Sequence, residues 1–209
     1  MNNSSDKIRA IYKSRSTLLE LLDRQGYNVE DYIEFSLNEV DAMFTNDQLD
    51  MLLEHKDNSK KTYIKYYTNG GQLHVRKLTE MIDELYNIEN VLDKNDDFII
   101  VYEDDPNDTV TTNLKYLYDN EGIFIVVHNI KRLQFNILDH HLVPRCRKLN
   151  VIETDDLMKK YNLSNLSQLP EVSRFDPQAL AIGLRPRQVC EYKRESNTAI
   201  STTYFRVCV

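Results

Sequence analysis

Apolar residues recur at helical spacing over residues 6–25, where Ile8, Ile11, Leu18, Leu19 and Leu22 share a face and Gly26 follows at the position of a left-handed C-cap. Ser36-Leu37-Asn38-Glu39 then has the form of a capping box, with Val40, Met43 and Phe44 giving the helix behind it an apolar face. Over residues 61–67 tyrosine or isoleucine alternates with lysine or threonine, which predicts a strand. Asn69-Gly70-Gly71 offers a positive-φ turn into residues 72–75, so a hairpin is expected. Helical spacing returns over residues 77–91 through Leu78, Met81, Ile82, Leu85, Tyr86 and Ile88. Residues 98–102 form an unbroken apolar run of strand length, the pattern of a strand buried on both faces. After a mostly acidic turn over residues 103–108 come a helix (110–118) and a second apolar strand (123–127). The order strand, helix, strand predicts a parallel pair within a mixed sheet covered by helices, and residues 133–137 would add one more strand.

The rest of the chain is punctuated differently. Val143 before Pro144 is held extended, and residues 143–149 read as a strand. Asn150 and Glu153 can cap a helix reaching about Tyr161, with Ile152, Leu157 and Tyr161 inward. Leu169-Pro170 ends a helix; Asp176 is placed to cap a short one from Pro177 to Leu184, with Gly183 marking its turn. Strands over residues 188–194 and 202–208 close a small α+β domain of about 70 residues, small enough to depend partly on a partner for stability. The expected fold is thus α+β with an α/β first part, in two domains, 1–137 and 138–209.

Composition sharpens the division. The chain has 209 residues, 41% of them hydrophobic, and a formal net charge of −7. That charge is uneven: residues 1–137 carry −10 and residues 138–209 carry +3. Phosphate binding needs clustered positive charge, so the first domain is not a general DNA-binding surface. Its densest basic cluster is Lys7, Arg9, Lys13 and Arg15 on the outer face of the first helix, a pattern that fits contact with nucleic acid or an acidic partner as well as a solvated face. No apolar run approaches the roughly 20 residues that span a bilayer, and the N-terminus lacks a secretory pattern, so no membrane association is expected. Three widely spaced cysteines, Cys146, Cys190 and Cys208, are expected as free thiols.

Candidate chemistry is sparse. A zinc site from His140, His141, Cys146 and a distant cysteine lacks any C-x-x-C pair. A metal-dependent nuclease needs an acid followed at a distance by acid-x-Lys; Asp176 with Glu191-x-Lys193 and Asp50 with Glu54-x-Lys56 fit loosely, but neither lies on the apolar strands. No nucleophile elbow accompanies the paired histidines, and five glycines make no phosphate-binding loop. No catalytic residue, cofactor, metal or small-molecule ligand is expected. A free-standing scaffold is the remaining rival class.

The punctuation itself carries a resemblance. Leu142-Val143-Pro144-Arg145, Tyr161, Gln168-Leu169-Pro170, Asp176-Pro177, Gly183-Leu184-Arg185, Val189, Arg194, Ser196, Thr198 and Arg206-Val207-Cys208-Val209 closely resemble the fifth-subunit family of multisubunit DNA-dependent RNA polymerases, whose archaeal members lack the first domain. Upstream the resemblance thins to Arg24-x-Gly26-Tyr27, residues 98–102 and Asn136-Ile137. It implies a non-catalytic subunit whose residues 138–209 dock on the largest polymerase subunit, among other polymerase subunits. Residues 1–137 would form a nuclease-like but inactive jaw weakly contacting downstream DNA. Pro144, Arg145, Asp176, Pro177, Gly183, Arg185, Arg194 and Arg206 become the docking candidates, as fold and interface positions. The location implied is that of the polymerase: the nucleus, or a virion and host cytoplasm for a virus-encoded member. The chain departs from the family at Cys146, where histidine is usual, at Arg187, where glycine is usual, and at Cys190, where valine is usual. The loop at Glu103, Asp104, Asp105 and Asp108, which approaches DNA in the family's jaw, is acidic.

Overall fold

The computed structural model describes residues 4–68, 71–196 and 198–209. The chain divides into two compact units, Met1–Phe135 and Asn136–Val209.

The first unit begins with helix α1 (Ser4–Arg24), followed by α2 (Glu30–Ile33) and α3 (Leu37–Thr45). The predicted inner face of α1 is buried, Ile11 completely and Ile8, Leu18, Leu19 and Leu22 nearly so. Gly26 ends its C-terminal turn at φ 99°, where a Cβ would meet the His55 imidazole at 2.7 Å, so this close approach requires glycine. The capping box forms: Ser36 Oγ accepts from Glu39 N–H at 3.4 Å and Glu39 accepts from Ser36 N–H at 2.7 Å.

Its sheet has the order β1-β2-β3-β4, built from Met51–Glu54, Lys61–Tyr67, Asp97–Tyr102 and Phe124–Asn129. β1 is antiparallel to β2, and β2, β3 and β4 run parallel. Both apolar strands, internal β3 and edge strand β4, are buried at every position. Parallel neighbours need crossovers, supplied by α4 (Val75–Ile82) and α5 (Asp108–Glu121). Asn107 caps α5 by accepting from Val110 N–H at 2.8 Å, and Gly122 closes it at φ 77°.

Several expectations change. Residues 72–75 form no strand. Val75 already opens α4, and β2 takes β1 as its antiparallel partner, a strand too short and too lightly marked to stand out in the sequence. Of the turn proposed for that hairpin, Asn69 and Gly70 lie outside the described residues. The helix expected over 77–91 passes from α-helical into a π-helical turn, Asp83–Ile88, which rotates Ile88 out to 75% exposure while Leu78, Met81, Ile82 and Leu85 stay buried. The strand expected over 133–137 is replaced by 3₁₀ turns at Arg132–Gln134 and Ile137–Asp139. Asn136 breaks the run there by accepting from Leu138 N–H at 3.0 Å.

The second unit is a sheet of order β5-β7-β8-β6 (Arg145–Lys148, Val189–Ser196, Ile200–Cys208, Glu171–Val172), with helices α6 (Val151–Lys160) and α7 (Pro177–Ala181). β7 is antiparallel to both β5 and β8, and β8 runs parallel to β6. Its core gathers Val172, Ala179, Ile182, Leu184, Cys190, Tyr192 and Cys208, with Leu138, Cys146 and Tyr204 packed against it. Of the predicted inner face of α6 only Leu157 is buried; Ile152 is 73% and Tyr161 51% exposed. Tyr161 instead meets the Phe205 ring edge-on at 6.0 Å.

Candidate subunit interface

The docking candidates separate by what they touch. Asp176 caps α7, accepting from Gln178 and Ala179 N–H at 2.9 and 3.4 Å, and Pro177 occupies the first turn, where its missing N–H costs nothing. Gln178 is buried and donates its side-chain N–H to the Pro144 carbonyl at 2.6 Å, tying α7 to the entry of β5. Gly183 turns the chain at φ 60°, and Arg185 N–H donates to the Gln188 side chain at 3.0 Å in the following turn. These residues set the path of the backbone from Pro144 to β7.

The remaining arginines lie on or beside the sheet. Arg145 is exposed on the edge strand, opposite Lys193. Exposed Arg194 and half-buried Arg206 each lie 5.9 Å from the Tyr204 ring centre, and Tyr204 stacks on Tyr192 at 5.1 Å and 8°. Arg206 also donates to the Glu171 carbonyl at 2.7 Å, joining β8 to β6. Cation and ring are therefore held in one strip by the pairing Tyr192↔Tyr204, with Arg206 opposite Cys190. The strip could not be read from sequence, because cross-strand register decides it. Arg147, also overlooked, joins β5, β7 and α6 by donating to Glu191 at 2.5 Å and Glu153 at 2.6 Å. Arg187, standing where the resemblance expects glycine, takes φ 68° and donates its N–H to the Cys208 carbonyl at 2.9 Å.

The basic cluster proposed on α1 does not form one surface. Arg9 and Lys13 are exposed, but Lys7 pairs with Glu103 at 2.8 Å and donates to the Thr68 carbonyl. Arg15 is only 4% exposed, because its position turns inward; its Nη1 donates to the Leu49 carbonyl at 3.2 Å. The acidic loop after β3 is largely neutralised by neighbours: besides Lys7 with Glu103, Lys131 pairs with Asp104 at 3.0 Å and Arg132 with Asp105 at 3.1 Å.

The loosely nuclease-like carboxylates are engaged elsewhere. Asp50 accepts from the Tyr63 hydroxyl, the Tyr66 N–H and Lys65 at 3.0, 3.2 and 3.4 Å. Asp176 is the α7 cap, Glu191 holds Arg147, and Lys56 pairs with Asp23 at 2.7 Å. The three cysteines are free, and burial pushes Cys146 and Cys208 up to about 11 and Cys190 upward as well, so none is an activated thiolate. His140 and His141 stack on each other at 4.8 Å, and among the described residues no group of three metal-ligating side chains gathers.

Comparison with known proteins extends these observations. Residues 135–208 match the family model of the RNA polymerase Rpb5 C-terminal domain. The chain is 45% identical to the DNA-directed RNA polymerase subunit Rpo5 of Thermococcus kodakarensis over 76 residues, covering 36% of this chain and 92% of that protein. It is 25% identical to the RNA polymerases IV and V subunit 5B of Arabidopsis thaliana, covering 100% of this chain and 94% of the relative. With the RNA polymerases I, II and III subunit rpabc1 of Dictyostelium discoideum it shares 24% identity, covering 98% and 100% of the two chains. The chain belongs to the fifth-subunit (Rpb5) family of DNA-directed RNA polymerases.

Proposed function

We propose that the chain is a non-catalytic structural subunit, in which residues 138–209 dock on the largest polymerase subunit and residues 1–137 form a nuclease-like jaw lobe beside downstream DNA. The observation that carries this reading is the contrast in coverage. An archaeal relative nearly the length of the second unit alone shares 45% identity, whereas relatives matching essentially the whole chain share 24–25%. This contrast in coverage supports an assembly role for the shared part.

In this reading Asp176, Pro177, Gly183 and the Pro144 carbonyl hold the backbone that presents the docking surface. Arg145 and Arg194, both exposed, supply charge to it, while Arg185 and Arg206 anchor its edges. Jaw contact with DNA would run through exposed Arg9 and Lys13, because Lys7 and Arg15 are committed within the protein. The protein positions and clamps; nucleotidyl transfer and its metal belong to other subunits, and the chain localises with the polymerase.

Tagged protein is expected to co-purify with two very large subunits, and a folded fragment of residues 138–209 should retain that association. Recovery of a lone monomer with Mg²⁺-dependent DNA cleavage would overturn the reading, and loss of binding by the folded fragment would overturn the domain assignment.

A further inference from the structure

Among the described residues, the first unit contains a buried cation without a counter-ion. Arg15 is 4% exposed, and its hydrogen bond among the described residues is the one from Nη1 to the Leu49 carbonyl; Nε is buried with no acceptor. The ionisable groups acting on it most strongly are the phenols of Tyr32 and Tyr66. Burial pushes Tyr66 up to about 12, so it supplies no negative charge near neutral pH. The guanidinium lies 5.6 Å from the Tyr32 ring centre and 5.3 Å from that of Phe35, an aromatic flank that partly offsets desolvation. Leaving a buried charge unpaired costs far more than a surface ion pair returns.

This arginine lines a cavity of about 210 Å³ between α1, α2 and α3, walled by Tyr12, Leu19, Val29, Ile33 and Val40 besides Tyr32 and Phe35. Drug-sized ligands occupy cavities of about 300 Å³ or more, so the space suits one or two side chains better than a whole metabolite. Its mouth is mixed: Ile33 and Tyr12, 58% and 38% exposed, give it an apolar side, and exposed Ser16, Glu20 and Asp23 a polar one. Glu20 and Asp23 line the same cavity, but Asp23 is already paired with Lys56 at 2.7 Å, and neither carboxylate is among the charges acting on Arg15.

We infer that this cavity is a docking site for a partner protein segment in which a carboxylate side chain lies next to apolar residues, the carboxylate completing the hydrogen bonds of Arg15 and the apolar neighbours packing on Tyr12 and Ile33. All the residues that line the site belong to the first unit. Attraction comes from a desolvated ion pair at contact. The net −10 of residues 1–137 repels an acidic segment at long range, so raising salt from about 50 to about 300 mM should strengthen binding, opposite in sign to phosphate binding, which falls steeply.

The test is an amide chemical-shift titration of the isotopically labelled full chain with a capped nonapeptide in which aspartate alternates with leucine and phenylalanine. The expected result is saturable shifts confined to residues 12–40, with the lysine-for-aspartate twin binding at least tenfold more weakly. Arg15→Leu should keep or raise the melting temperature, since it removes an unpaired buried charge, and should weaken the aspartate peptide about 10- to 100-fold. Ile33→Glu, at an exposed position, should weaken it without altering the fold and serves if Arg15→Leu misfolds. Equal binding by the two peptides, wild-type affinity in Arg15→Leu, or shifts lying elsewhere would overturn the inference. The same holds if inorganic phosphate or an oligothymidylate reproduces the shift map at lower concentration, which would mark a simple anion or nucleic-acid site.

Discussion

Arg187 takes a left-handed conformation at φ 68°, and its N–H holds the Cys208 carbonyl at 2.9 Å. A side chain there costs about 1–2 kcal/mol, partly offset by the lower unfolded-state entropy of a non-glycine residue. Arg187→Gly should therefore stabilise the second unit by about 0.5–1 kcal/mol, read as a higher urea midpoint with unchanged slope. A second residue with a clear signature is His128, buried in β4 beside Arg132, where burial first and the arginine second push its pKa down to about 4 from an ordinary 6.5. Its folded pKa lies below its unfolded one, so the neutral form is the native form. Stability is fully present above about pH 6.5 and falls by up to about 1.4 kcal/mol per unit as pH drops toward 4. His128→Gln should flatten the pH 6.5–4.5 part of the stability profile, and an unchanged slope there would show that other groups set it. Arg15 belongs at the same scale. Sequence placed it with three other cations on one helix face, yet helical spacing alone cannot say how wide a buried stripe is when short helices such as α2 and α3 pack on the same helix.

At the scale of elements, what was legible were features whose cause is local. Both caps expected from sequence form as capping boxes because the reciprocal bonds need only four consecutive residues: Ser36 with Glu39, and Asn150, which accepts from Glu153 N–H at 2.8 Å while Glu153 accepts in return at 2.9 Å. The unbroken apolar runs at Phe98 and Phe124 likewise declared two buried parallel strands. What failed depends on partners distant in sequence. Residues 72–75 read as a strand until β1 is seen to occupy the antiparallel edge of β2. Ile152 reads as core, yet it is 73% exposed, and of that predicted face α6 buries only Leu157, while Tyr161 meets Phe205 edge-on. At the candidate interface, the turn residues were legible by type, while the strip of Tyr192, Tyr204, Arg194 and Arg206 depended on register. The Asn150 cap also carries Arg147, through Glu153, to β7. Asn150→Ala should cost about 1 kcal/mol of second-unit stability, and Asn150→Asp much less, in equilibrium urea denaturation.

At the scale of the whole molecule, the two compact units differ in the means available to hold them. Residues 1–135 contain a sheet with two strands buried at every position, whereas residues 136–209 form a small unit whose core relies on Cys190, Cys208 and Tyr192 beside a few aliphatic side chains. A domain of that size buries only about 60–65% of the surface its unfolded chain exposes, so its stability alone should be the lower of the two. The cysteines offer a direct measurement, because Cys146, Cys190 and Cys208 all lie in the second unit and report on it alone. Cys190 and Cys208 are buried, and burial raises both thiols, so at pH 8 they should react with a disulfide reagent only when the unit opens. With half-buried Cys146 replaced by serine, thiol labelling across a urea series is expected to show a lower midpoint than the main far-ultraviolet dichroism transition, which is dominated by the larger first unit. Purified polymerase containing the subunit should shift the labelling midpoint upward, as binding to the native state alone requires. Coincident labelling and dichroism midpoints in the free chain would show that the two units unfold together, and that the second does not rely on its partner for the missing stability.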